Sequence, residues 1–219
     1  MRSPCWFIPI RFHTVRFFLP EKGRGTVTAM NPARRQATYE DLLKVPDILI
    51  AEIIDGELIT SPRPAFPHAR AASVLRGSLD PFDRRPGSPD GPGGWWILFE
   101  PELHLGADIL VPDLAGWRRE RMPVLENVAY SELAPDWVCE VVSPTSGRLD
   151  RVHKMPVYAR ERVGHIWLVD PLQRTLEVYR LEGQRWMVVS THGGEESIRA
   201  EPFAALELDL SRWWLEPGA

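Results

Sequence analysis

The sequence predicts an α/β fold, a mixed central sheet flanked by helices with additional hairpin strands toward both ends. Three observations predict it. Apolar runs of strand length recur along the chain, among them "WWILF", "DILV", "WVCEVVS" and "HIWLVD". Asp55-Gly56 and Glu182-Gly183 fall between such runs, which reads as tight hairpins and hence antiparallel pairs. "WVCEVVS" and "HIWLVD" are separated by a helical pattern, so a strand–helix–strand unit around residues 137 to 169 requires a parallel pair with a right-handed crossover. Antiparallel hairpins and one parallel pair make the sheet mixed, and helices must cover it.

The elements follow in order. "TYEDLLKVP" fits a short helix with Thr38 as N-cap, Glu40 and Asp41 in its first turn and Pro46 beyond its end. "AEIIDGELI" is the first hairpin. "PHARAASVLRGSL" fits a helix opening near Pro67, with Ala71, Val74, Leu75 and Leu79 on its buried side. A Pro/Gly-rich loop fills 83 to 94, and "WWILFEPELHL" and "DILVPDLAGW" read as two strands around Gly106. Residues 118 to 135 read as a charged loop with one helical turn. "RLDRVHKMPVYARERV" is a helix in which Pro156 must lie in the first turn or kink the element. "TLEVYRLEGQRWMVVS" is the last hairpin, followed by one short strand and apolar cover.

The 219 residues suit one ordinary domain with an appendage, and no apolar run approaches the roughly 20 residues that span a bilayer. Residues 1 to 36 carry seven Arg or Lys against one Glu, whereas residues 37 to 219 carry 19 basic and 29 acidic groups. The first part is expected to be a disordered extension or to precede a true start at Met30. The acidic body does not advertise a nucleic-acid binder, although local patches can still bind phosphate. Cys5 and Cys139 cannot form a disulfide framework, so a reducing cytoplasm is expected.

Glu140 interrupts the most apolar strand, and a buried carboxylate is costly without a partner. Asp113 follows "ILVP", where Pro112 removes a backbone donor and favours a strand edge or bulge. If the two strands are neighbours, Asp113 and Glu140 converge. Close carboxylates repel unless a cation neutralises them, and a hard divalent ion with oxygen ligands is the simplest resolution. The chain has three lysines, and one of them, Lys154, lies on the helix after this strand with Tyr158 four residues on. Each residue also has a plainer reading. Glu140 can pair with an arginine, Asp113 can be a turn residue, Lys154 can be solvated, His68 can cap a helix, and Glu52 can be a cross-strand partner.

Beyond this point the sequence resembles the Uma family of bacterial endonucleases, with the restriction-endonuclease-like PD-(D/E)XK fold. "EIIDGELITSPRPAFPH", "VPDLAGW", "DWVCEVVSPTSGRLDRVHKMPVYARERVGHIWLVDP" and "TLEVYRL" carry the resemblance, over roughly residues 38 to 181. It implies that Asp113 and Glu140 are the metal-binding acids. The lysine of the motif, two positions after the acid, is absent because Val142 stands there, and Lys154 fits a lysine moved to the following helix. Glu52 and His68 match an acid and a histidine that recur in the family's first half, and Glu102 falls where the family often has Asp. The implied activity is hydrolysis of DNA phosphodiesters with Mg2+ or Mn2+, with a nuclease domain over 37–219, no membrane association and a homodimer for cutting both strands.

Two other classes fit parts of the pattern. A catalytically inactive protein on the same fold, acting in nucleic-acid binding or assembly, fits the acidic body and Val142. A glycosidase with paired acids leaves Lys154 unexplained. Of the nine tryptophans, Trp137 and Trp167 are expected in the core, and one of each doublet, Trp95-Trp96 and Trp213-Trp214, partly exposed.

Overall fold

A computed structural model describes residues 35–216. The basic extension up to Arg34, Met30 included, lies outside the described residues. The order is α1 (Tyr39–Leu42), β1 (Leu49–Ile54), β2 (Glu57–Pro62), α2 (Phe66–Ser78), β3 (Trp95–Phe99), β4 (Glu102–Leu105), β5 (Asp108–Leu110) and β6 (Leu114–Arg118). Then come β7 (Tyr130–Ser131), β8 (Trp137–Val141), α3 (Gly147–Leu149), a π-helical turn (Asp150–Lys154) and α4 (Met155–Arg160). The chain closes with β9 (His165–Asp170), β10 (Thr175–Glu182), β11 (Arg185–Gly193), β12 (Ser197–Ile198), β13 (Leu208–Asp209) and a 3-10 turn over Leu210–Trp213.

The expected mixed α/β architecture is present, with most of its strands divided between two large sheets, β2-β1-β5-β4-β7 and β11-β10-β9-β8-β6-β3, and with β12 and β13 paired apart from them. The division has a local cause. The two strands expected around Gly106 form one long hairpin that breaks on both sides at the same level. Glu100 takes a positive φ of 44° before Pro101, and Pro112 interrupts the returning strand. The inner halves, β4 and β5, join one sheet and the outer halves, β3 and β6, join the other. Glu100 N still donates to Asp113 O across the bend at 3.0 Å.

Both hairpins predicted at an acidic residue and glycine form. Asp55 and Gly56 have φ of 53° and 76°, as a tight primed turn requires, and Ile54 pairs with Glu57. Glu182 pairs with Arg185 across Gly183. The strand–helix–strand unit gives the parallel pair, with Glu140 opposite Leu168. Pro156 is accommodated by the π-turn just before it, where Met155 N bonds to Asp150 O, five residues back. At 118–135 no helix forms; Tyr130–Ser131 instead pairs in parallel with β4, and the loop walls an apolar groove with Phe99, Val124 and Val128.

The six-stranded sheet has a period-two core. Along β8, Trp137, Cys139 and Val141 face an aromatic layer, while Val138 and then Val142 face the layer that holds α4. Trp137 and Trp167 are fully buried as expected, and Trp96 is half-buried beside buried Trp95. Trp213 and Trp214 are both buried, contrary to expectation, because the chain end packs onto α2 and the aromatic layer.

Candidate active site

The site lies where the bent hairpin, β8 and the π-turn meet. The bend after Val111-Pro112 removes ladder partners from nearby amides, and acids replace them. Glu52 on β1 accepts from Val111 N at 2.9 Å, and Asp113 accepts through Oδ2 from Val141 N at the end of β8 at 2.7 Å. Asp113 stands just before Leu114, which pairs with Cys139, so its strand adjoins the one carrying Glu140. Its other oxygen, Oδ1, is 2.5 Å from His68 Nε2 in the first turn of α2.

Glu140 faces the α4 side of the sheet. Tyr158 OH donates to its Oε1 at 2.6 Å, and Lys154 Nζ lies 3.4 Å from its Oε2. Lys154 is closer to Glu52 Oε1, at 2.9 Å, and also has Asp150 Oδ1 at 3.8 Å. Glu52, Asp113, Glu140, Asp150 and Lys154 are all buried, between 2% and 9% exposed. Asp150, Lys154 and Tyr158 are spaced by four. Four residues of α-helix overshoot one turn by about 40°, and the wider π-turn undershoots it, so the two departures offset each other and keep all three facing one strand.

Electrostatics follow from the geometry. Burial raises the Glu140 carboxyl well above the carboxylate range; Lys154 opposes this, while Asp150, Asp113 and Glu52 push it further up. Asp150 is raised for the same first reason, again against Lys154. Burial would pull the Lys154 ammonium down, but Glu140, Glu52 and Asp150 outweigh it and hold the lysine charged. Burial, then Glu140, raises the Tyr158 phenol, so it stays a donor.

Four carboxyl groups thus surround one ammonium and one imidazole. The donor set is oxygen only apart from His68, and Asp150 Oδ2 is buried without a hydrogen-bond partner. That excess of hard acceptors suits a small divalent cation. Among the described residues no three acid, His or Cys side chains are arranged to enclose an ion by themselves. Mg2+ does not need that, since it uses one or two carboxylates and keeps its waters.

The five residues singled out in the sequence therefore gather at one place. Glu102 does not join them: His104 Nε2 lies 2.8 Å from its carboxylate, and His104 stacks on Tyr130 at 3.7 Å. Asp150 was legible only as a neighbour of Lys154. Its four-residue spacing was the available signal, and its burial required the π-turn.

The Uma2 family model, described as "Putative restriction endonuclease", matches residues 37–211. The chain belongs to this family. A crystal structure from Anabaena variabilis ATCC 29413, described as "a putative nuclease belonging to DUF820", resembles it with a TM-score of 0.62 at 23% identity, covering 81% of this chain and 97% of that one. At that identity the likeness is one of fold. No curated protein matches. The Uma2 match spans every residue of the buried cluster. Among the described residues no helix is long and apolar enough to cross a membrane.

Proposed function

We propose that this protein is a Mg2+- or Mn2+-dependent endonuclease that hydrolyses phosphodiester bonds in DNA, with its nuclease domain over residues 37–219, acting as a homodimer in the cytoplasm. One observation carries the reading: Asp113, just before β6, and Glu140, on the adjoining β8, stand at a sheet bend, and the buried Lys154 ammonium reaches Glu140 from the next helical segment. Asp113 and Glu140 are the residues that would hold the metal. Bound there, it would polarise the scissile phosphate and lower the pKa of a water.

The chain's own groups do the rest. Lys154, held charged by its carboxylates, orients the attacking water and faces the negative charge that develops on phosphorus oxygens. Glu52 fixes Lys154, and His68 fixes the direction of Asp113. Displacement is in line, with no covalent intermediate. Purified protein should nick or cut DNA with Mg2+ or Mn2+, and Asp113→Ala should reduce this to background while the fold persists. Equal cleavage by wild type and variant would refute the assignment.

A second reading is favoured by one feature. Lys154 is already engaged by three carboxylates, at 2.9, 3.4 and 3.8 Å. A protein that keeps this cluster only as a structural knot would bind nucleic acid or assemble without cutting. Tight DNA binding that ignores divalent metal, without turnover, would select it.

A further inference from the structure

Tyr158 is fully buried, and its hydroxyl has one partner of consequence, Glu140 Oε1 at 2.6 Å. Its place behind the strand is set by the helix: α4 packs Val157 and Tyr158 into the same core as Val138 and Val142. The Glu140 carboxylate therefore has one oxygen tied to a neutral donor and the other facing Lys154 at 3.4 Å, longer than a good charged hydrogen bond. Lys154 meanwhile sits 2.9 Å from Glu52. The lysine is shared unevenly, and the oxygen of Glu140 that faces it has only this one long contact.

The geometry points to Tyr158 as a positioning residue that acts through Glu140. We propose that its hydroxyl holds Glu140 back from collapsing onto Lys154, so that Oε2 stays available to a divalent cation. Without that hydroxyl, Glu140 loses the bond that holds it back. It then swings into a tight ion pair with Lys154, and the cation must compete with an ammonium. The inference rests on the metal-dependent reading of the site given above.

The test is Mn2+ titration of the full chain, followed by calorimetry, with cleavage measured alongside. Tyr158→Phe removes one oxygen atom from a residue that otherwise keeps its packing. Its Mn2+ affinity should fall about 10- to 100-fold, the usual cost of losing a group that orients a metal ligand. Cleavage should need correspondingly more metal and reach the wild-type rate at saturation. The decisive arm is Lys154→Met. In that background no ammonium remains to capture Glu140, so adding Tyr158→Phe should leave Mn2+ affinity unchanged. An equal loss with and without Lys154 would overturn the proposal, as would unchanged affinity in the single variant. Loss of the native near-UV circular dichroism in Tyr158→Phe would also overturn it, by assigning the residue to packing. A wild-type chain that binds no Mn2+ overturns this proposal and the functional reading together, whereas wild-type binding matched by the variant overturns this one alone.

Discussion

The two faces of the six-stranded sheet solve different problems with the same strands. On one face, Phe203 is the hub of an aromatic layer, with ring centroids 4.8 Å from Phe82, 4.9 Å from Trp95, 5.0 Å from Trp137 and 5.6 Å from Trp167. Tilted and edge-on contacts of this kind add to area burial. Gly116 is part of that fit, since a Cβ there would come within 3.2 Å of Trp137 and 3.3 Å of Trp95 ring carbons. On the other face, one residue along β8, Glu140 enters a cluster decided by charge. The first face needs only shape. The second tolerates a buried acid because the crossover helix delivers Lys154 and Tyr158 to it.

The contrast can be broken from either side. Phe203→Ala should have the largest effect on stability, about 4 kcal/mol, because four rings lose their common neighbour and the site cannot fully collapse. Urea unfolding would measure it, and Mn2+ affinity should stay at the wild-type value, since the charged cluster is on the opposite face. If metal binding fell in proportion, the two faces would not be independent. Lys154→Met should come next, at about 3 kcal/mol, because it leaves Glu52, Glu140 and Asp150 buried without their cation. Adding Glu52→Gln should restore part of that loss. A stable Lys154→Met single variant would mean that the carboxylates are already neutral.

How much of this could be read from the sequence differs between the faces in the same way. The hairpin turns, the parallel pair and the burial of Trp137 and Trp167 followed from local chemistry that acts over a few residues, and they are where the pattern put them. Glu140 was conspicuous because a charge in an apolar run needs an explanation. The division into two sheets was not legible, because it depends on Glu100-Pro101 and Pro112 falling opposite each other in a register that only the folded hairpin fixes. The burial of Trp213 and Trp214 was misread for a related reason: the chain end packs against α2, far away in sequence. Tyr158 stood at the spacing noted for Lys154 and Asp150 at the same spacing on its other side, but the π-turn that aligns them leaves no mark except the awkward Pro156.

A milder probe lies at the edge of the aromatic layer, where His165, Arg180 and Glu201 meet. Arg180 Nη1 is 2.9 Å and His165 Nε2 is 3.3 Å from Glu201 Oε2, and Trp167 Nε1 donates to Glu201 O at 2.7 Å. Burial alone would raise the Glu201 carboxyl, but the bonds from Arg180 and His165 outweigh it and hold it below the usual carboxylate range. Burial also pulls the His165 imidazole below its ordinary value, ahead of the opposing pull of Glu201. Both folded-state values are depressed, so in both cases the unfolded chain takes up its proton first as pH falls. Their stabilisation is complete above the unfolded values, about 6.5 for His and 4.3 for Glu. It is lost as pH falls, first through the His165 window and then through the Glu201 window. Glu201 and Arg180 are too exposed for a large effect. Melting temperatures followed from pH 8 to 3 should therefore show the deficit of Glu201→Gln shrinking as pH drops below the carboxylate range, whereas His165→Gln should flatten the decline near pH 6. A deficit in Glu201→Gln that grew on acidification would reverse the sign assigned to the pair. The same variant separates the faces once more: Mn2+ affinity compared between Glu201→Gln and wild type at any one pH should not differ, because this ion pair touches the aromatic layer and no residue of the metal-binding cluster.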